Sequence, residues 1–441
     1  MNARVAVLAV LVAAVIVWQV SHMIWLRYTL LIVLGVLCWP AAVRTLARPA
    51  APLQQRARVP FALFGAFLLW SIAVALFVSS NTALSLKELR AEWLAPALVL
   101  LLGFGLGIRY GERHGAVRAI FLAFMLHAFM QLAAGAVIVA RGAEINWFNF
   151  GGISDHKANV TYTNALALAM LVADTVSRAR RGAGFLGIDS RWAVAAFALL
   201  LVSTVLATTR NGLIVFGLLM LAGFVLIALQ MRAETSRRAW VALVACGAAA
   251  IAGALAGLKA DPRWSTFRAT APVAWDTERH REWLLGERNE SILPVTASGK
   301  KVDPSAYYRI AYLREGLRLV VEHPLGTGLG RDAFRRTIHE KFGTAGMSHA
   351  HNGFVDLAVS VGIPGVALWL AFLAALVAMA ARAGGMAAGS GLALAMVLVV
   401  AAFLARTMLD ATMRDLVLGE FLLLAGLLCG AIAYGDRRAA S

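Results

Sequence analysis

Twelve stretches of this chain are each apolar and long enough to cross a lipid bilayer, and nothing else in the sequence constrains the fold as strongly. A crossing of about 30 Å of hydrocarbon takes about 20 helical residues. The stretches lie near 5–20, 24–43, 60–78, 92–108, 116–140, 160–177, 191–207, 211–230, 239–258, 353–382, 388–408 and 415–435. With 60% of its 441 residues hydrophobic and only 15% charged, the chain could not cover itself as a soluble protein. The expectation is an all-α polytopic membrane protein of about 12 transmembrane helices. The first stretch runs through Trp18-Gln19-Val20 almost directly into the second, so it reads as a span and not as a cleaved leader. Cys38, Cys246 and Cys429 each sit inside an apolar stretch and suit buried small hydrophobes, with no disulfide framework or zinc cluster.

An even number of spans puts both termini on one side, and basic residues choose that side. With the termini inside, the inner segments hold 18 Lys and Arg and the short outer ones hold 8. The expectation is cytoplasmic termini. The other 15 basic residues fall in one long segment, 259–350, whose charge does not vote because long segments cross regardless of it. That segment is the single large loop, outside the membrane on the periplasmic side of a Gram-negative cell. The chain thus divides into spans 1–9 (1–258), a periplasmic loop domain (259–350) and spans 10–12 (351–441). The formal net charge of +17 mostly records topology. The loop carries 15 basic against 11 acidic residues, so nucleic acid is not an expected partner. Within the loop, Asp303-Pro304 to His323-Pro324 reads as a helix, capped by Asp303 and stopped by Pro324 and Gly326. Ile310, Leu313, Leu317 and Val320 recur at helical spacing and predict its buried face.

Polar residues at the outer ends of spans need a reason to be there. Three groups stand out. Ser348-His349-Ala350-His351-Asn352 precedes the tenth span, which Gly362 and Pro364-Gly365 are expected to kink or interrupt. His351 then sits at a helix N-terminus, whose free N–H groups and positive end favour a nearby anion and an uncharged imidazole able to act as a base. Against this stands a plain capping role for His349 and His351, and a metal site, for which Asp356 alone is a thin complement. Thr208-Thr209-Arg210-Asn211 links spans seven and eight; a buried arginine there needs an anionic partner, be it substrate, loop carboxylate or lipid headgroup. The loop helix offers Tyr307, Tyr308, Arg309, Tyr312 and Arg314, where solvated arginine is the bland alternative. Lys87 and Arg90, before the fourth span, share one face of an interfacial helix. Gly326-Thr327-Gly328-Leu329-Gly330 lacks the Lys-Ser/Thr ending of a phosphate-binding loop and follows a helix, so it reads as a flexible turn.

A histidine, several arginines and hydroxyl or amide groups on one outer face suit a lipid-borne phosphate or diphosphate. Guanidinium forks match phosphate oxygens, and histidine can deprotonate an acceptor hydroxyl. The run His351-Asn352, nine residues, Gly362, two residues, Gly365 resembles the His-Asn-x9-Gly-x-x-Gly signature of O-antigen ligases (WaaL), in a superfamily with O-antigen polymerases (Wzy) and protein O-oligosaccharyltransferases. Arg210 and Arg309 resemble two essential arginines of that family, and Lys87 or Arg90 a further basic position.

The resemblance implies a GT-C-like scaffold in the bacterial inner membrane with its site facing the periplasm. It implies an undecaprenyl-diphosphate-linked O-antigen donor and a lipid A–core acceptor, with neither cofactor nor metal. His351 would be the general base, supported by His349 or with the two roles exchanged, while Arg210 and Arg309 hold the diphosphate. Asn211, Tyr308, His349, Asn352, Lys87 and Arg90 are the expected substrate contacts. The alternatives are a polymerase of the same superfamily and, in a different class, a lipid-linked glycan transporter. The transporter reading lacks repeated halves and midplane charges.

Overall fold

The computed structural model describes residues 3–20, 22–145, 150–154, 156–230, 263–286, 292–384, 390–413 and 415–440. The expected span at 239–258, with Cys246 inside it, lies outside the described residues. The architecture is all-helical, without β-strands among the described residues. Eleven of the twelve expected stretches coincide with helices. These are α1 (Ala3–Ile16), α2 (Ile24–Ala47), α3 (Pro52–Phe77), α5 (Ala95–Tyr110), α6 (Gly115–Ala140), α7 (Lys157–Arg181), α8 (Ser190–Leu206), α9 (Arg210–Gln230), α13 (Gly353–Gly384), α14 (Ser390–Thr407) and α15 (Asp415–Ala440). Among the described residues, eight helical segments are long and apolar enough to cross a membrane, and α1, α8 and α14 belong to three shorter apolar ones.

A short amphipathic helix, α4 (Thr82–Leu89), runs through a π-helical turn at Arg90–Leu94 into α5. The long segment between α9 and α13 contributes α10 (Arg263–Trp275), α11 (Pro304–Glu322) and α12 (Ala333–Phe342).

In an apolar solvent, helices gain little from hiding apolar side chains, so close backbone approach and packing must hold them together. The closest such approach joins α5 to α15. Gly103 and Gly107, four apart on α5, meet Gly426 and Gly430, four apart on α15, and a Cβ at any of them would strike a carbonyl of the facing helix. Aromatic rings fill the space toward the outer end: Phe67 stands edge-on to Trp93 at 4.5 Å, and Phe403 stacks on Phe421 at 4.0 Å.

The outer segment has a core of its own. As expected, Asp303 caps α11, accepting from the Ala306 N–H at 2.8 Å, and the helix ends before Pro324. Its buried face differs from the aliphatic one that spacing predicts. Tyr307, Tyr308, Ala311, Tyr312 and Leu319 are buried, whereas Leu317 is 46% exposed. The aromatic stripe lies on the turns between the aliphatics and covers more area, so it wins the core position. It packs with Trp283 and Phe334, and with Val355 and Val359 of α13, which join the outer core to the membrane-side one.

The tenth span is interrupted as expected. Gly362 takes φ 72° inside α13, and Pro364 supplies no N–H. Two carbonyls lose their ordinary helical donors there. Val359 C=O accepts from the Thr327 N–H (2.8 Å), Ser360 C=O accepts from the Gly328 N–H (3.2 Å), and the Ile363 N–H donates to Pro324 C=O (2.9 Å). The Gly326–Gly330 segment, expected to be a flexible turn, is therefore a strap docked on the break. A broken helix in an apolar layer demands replacement partners of this kind.

Candidate active site

Residues 349–352 connect the outer core to α13. His351 has φ 54°, a left-handed conformation that is uncommon for a side-chain-bearing residue and concentrates at functional positions. Its backbone N–H donates to Nδ1 of His349 at 3.1 Å, and the two rings lie 4.2 Å apart. On its other side the imidazole stacks nearly parallel to Tyr312 at 6.0 Å. His349 thus holds the turn, and the ring of Tyr312 limits how the His351 imidazole can tilt.

The N-terminus of α13 is not open to an anion, contrary to the sequence-based expectation. Asn352 Oδ1 accepts from the N–H groups of Phe354 and Val355 at 3.1 and 3.2 Å, and the Gly353 N–H donates to Asp410 C=O at 3.1 Å. Asn352 Nδ2 donates to Met408 C=O at 3.2 Å. Asp356, in the first turn, accepts from the Ala350 N–H at 2.8 Å. Asn352 therefore caps the helix and ties it to the α14–α15 link, since first-turn N–H groups need partners and the residue before the helix supplies them.

The α14–α15 link carries two residues that the sequence reading did not single out. Arg406, 3% exposed, pairs with Asp410 at 3.3 Å. Burial pushes the Asp410 carboxyl up, but Arg406, His351, the Ala411 N–H and His349 outweigh it and hold it below the usual carboxylate value. His156, the N-cap of α7, stands in the same field. Burial holds its imidazole below the usual value, Lys157 and Arg406 add to this, and Asp410 opposes it. The one sequence signal for the pair was Arg406 and Asp410 four residues apart at the outer end of a span.

Arg309 projects from α11 to this place: its Nη1 donates to Asn211 Oδ1 at 3.4 Å, and its charge bears on Arg406. Asn211 Nδ2 in turn donates to Leu409 C=O at 2.9 Å, one residue before Asp410. Arg210 starts α9 beside Asn211, half-buried, with its Nε and Nη2 out of solvent. Thr209 donates to the Thr161 hydroxyl at 3.0 Å and anchors the turn.

The structure thus gathers His349, His351, Asn352, Asn211 and Arg309 around Asp410 and Arg406, with Arg210 at the edge. It does not bring the other expected residues there. Tyr308 is fully buried in the outer core, with its hydroxyl donating to Gly286 C=O at 2.8 Å. Lys87 and Arg90 are exposed on the α4–α5 connection, with no hydrogen bond or ion pair to this cluster. Among the described residues no group of three or more His, Cys, Asp or Glu is placed to hold a metal ion.

Residues 195–370 match the family model described as O-Antigen ligase, a stretch that contains Arg210, Arg309, His351 and the Gly362–Gly365 pair. The likeness covers 176 of the 441 residues, about two fifths of the chain. The chain's several long apolar helices make it a multi-pass membrane protein. No curated protein matches it.

Proposed function

We propose that the protein is an O-antigen ligase of the bacterial inner membrane, with its termini in the cytoplasm and its site facing the periplasm. It transfers O-antigen polysaccharide from undecaprenyl diphosphate to a sugar hydroxyl of lipid A–core oligosaccharide, inverting the anomeric centre without a metal. His351 takes the proton of the acceptor hydroxyl as that oxygen bonds to the anomeric carbon. The bond from that carbon to the diphosphate oxygen breaks, and undecaprenyl diphosphate leaves with the electron pair. Arg210 and Arg309 hold the diphosphate and offset its growing charge, as preorganised guanidinium groups do best in a partly desolvated site. Asp410 stabilises the positive charge that His351 gains.

The observation that carries this reading is His351 on a strained, stacked turn beside Asp410, with Arg309 reaching over it from the outer segment. Deleting the gene separates the readings within the family. A ligase deletion leaves full-length polymer on undecaprenyl diphosphate. Single repeat units on the core would instead make the protein a polymerase. In reconstituted vesicles, movement of the lipid-linked donor without glycosyl transfer would make it a transporter.

A further inference from the structure

The ends of α2, α4, α5, α12 and α15 line a cavity of about 430 Å³. Its floor and one wall are apolar side chains of the spans, among them Leu31, Val99 and Leu416. Lipid-facing residues such as Trp25, 70% exposed, flank it on α2. Three arginines, Arg27, Arg331 and Arg336, face three carboxylates, Glu88, Glu92 and Asp332, around the rest. Arg27 is built in: it is 7% exposed, and its Nη1 donates to Trp18 C=O at 2.7 Å. Arg336 is held by Leu329 C=O at 2.9 Å, at the end of the strap on α13. A second, narrow cavity of about 40 Å³ shares Glu92 and Arg331 with the first and reaches Gly353, Asp356 and Ala411, next to the His351 turn.

Volume, apolar floor and mixed rim each bear on the occupant. Space of this size holds a small head group, and the apolar wall suits the start of acyl chains. Guanidinium forks match phosphate oxygens, while carboxylates accept hydrogen bonds from sugar hydroxyls. A rim with as many carboxylates as guanidiniums repels a bare diphosphate more than the His351 cluster does, and suits a head group that carries both phosphates and hydroxyls. We propose that this cavity binds the phosphorylated sugar head group of the acceptor glycolipid, with the core oligosaccharide that carries the accepting hydroxyl extending from it toward His351. The assignment rests on the glycosyl-transfer reading.

The test uses the purified full-length protein in detergent, with lipid A–core, undecaprenyl diphosphate and phosphatidylglycerol as separate probes in native mass spectrometry. Ala95→Trp fills the cavity from its α5 wall, and Arg336→Gln removes one fork and serves if the larger side chain disturbs folding. Each is expected to weaken lipid A–core binding by about tenfold and raise its KM alike, while undecaprenyl diphosphate binding stays within about twofold. Unchanged lipid A–core binding in both variants would overturn the assignment. So would loss of undecaprenyl diphosphate in its place, or equal displacement by phosphatidylglycerol. Binding of lipid A–core that both variants lose, without any transfer by the wild type, would uphold the cavity and sink the ligase reading.

Discussion

Two groups of arginines near the turn that carries His351 differ in what surrounds them. On one side Arg406 pairs with Asp410, while Arg309 is held by Asn211 beside Arg210. On the other, Arg27, Arg331 and Arg336 stand among Glu88, Glu92 and Asp332. A surplus of guanidinium invites an anion with little else to offer, such as a diphosphate. A balanced rim favours a ligand that brings donors as well as acceptors. The residue type is the same in both places, and its neighbours decide the partner.

The largest expected effect falls between the two groups. His351→Ala should lower transfer by about a thousandfold, the range of a lost general base, while both lipids still bind. Unchanged turnover by the purified variant would remove the pivot of the comparison.

Next comes Asp410→Asn, which leaves Arg406 buried without its counter-charge and should cost about 3 kcal/mol. The folded carboxyl lies below its usual value, so its stabilisation is complete above about pH 4 and disappears as pH falls through the folded value. Thermal unfolding of wild type and variant should therefore differ most near neutrality and converge in acid. A gap that is constant with pH would show that the carboxylate charge is not what stabilises this side.

Arg210→Lys should reduce transfer by at least about tenfold, because an ammonium cannot reproduce the bidentate fork. The matched change Arg331→Lys, on the balanced side, should move acceptor KM and leave donor binding alone. Equal effects of both on donor binding would collapse the distinction. The remaining effect is structural: Gly362→Ala places a side chain at φ 72° against the backbone of Pro324 and Leu325 and should cost about 3 kcal/mol in detergent unfolding.

Much of this was legible in the sequence, for identifiable reasons. Spans declare themselves through unbroken apolar runs, and α2 through α9 start and stop within a few residues of those runs, apart from α3, which starts eight residues early, and the short α4. His351 and Asn211 were legible because a polar group at the end of a span has no bland neighbour to hide among, whereas Arg309, inside the loop helix, stood out only through the family resemblance. The Arg406–Asp410 pair was missed because one arginine and one aspartate near a turn look like solvated residues until their burial is known. The face of α11 was misassigned because the pattern was read from aliphatic residues, while Tyr308 and Tyr312 carried it. Tyr308 was expected at the site and lies in the outer core, while Tyr312 stacks on His351. The cavity could not be read at all, since it joins the ends of five helices far apart in the chain.

The strap across the break in α13 restricts how the outer segment can move. Thr327 and Gly328 supply the hydrogen bonds that the helix itself has given up, so lifting the strap would leave two buried carbonyls without partners. Any opening of the segment between α9 and α13 would therefore swing about this seam as a hinge line, with the travel falling on the side remote from residues 324–330.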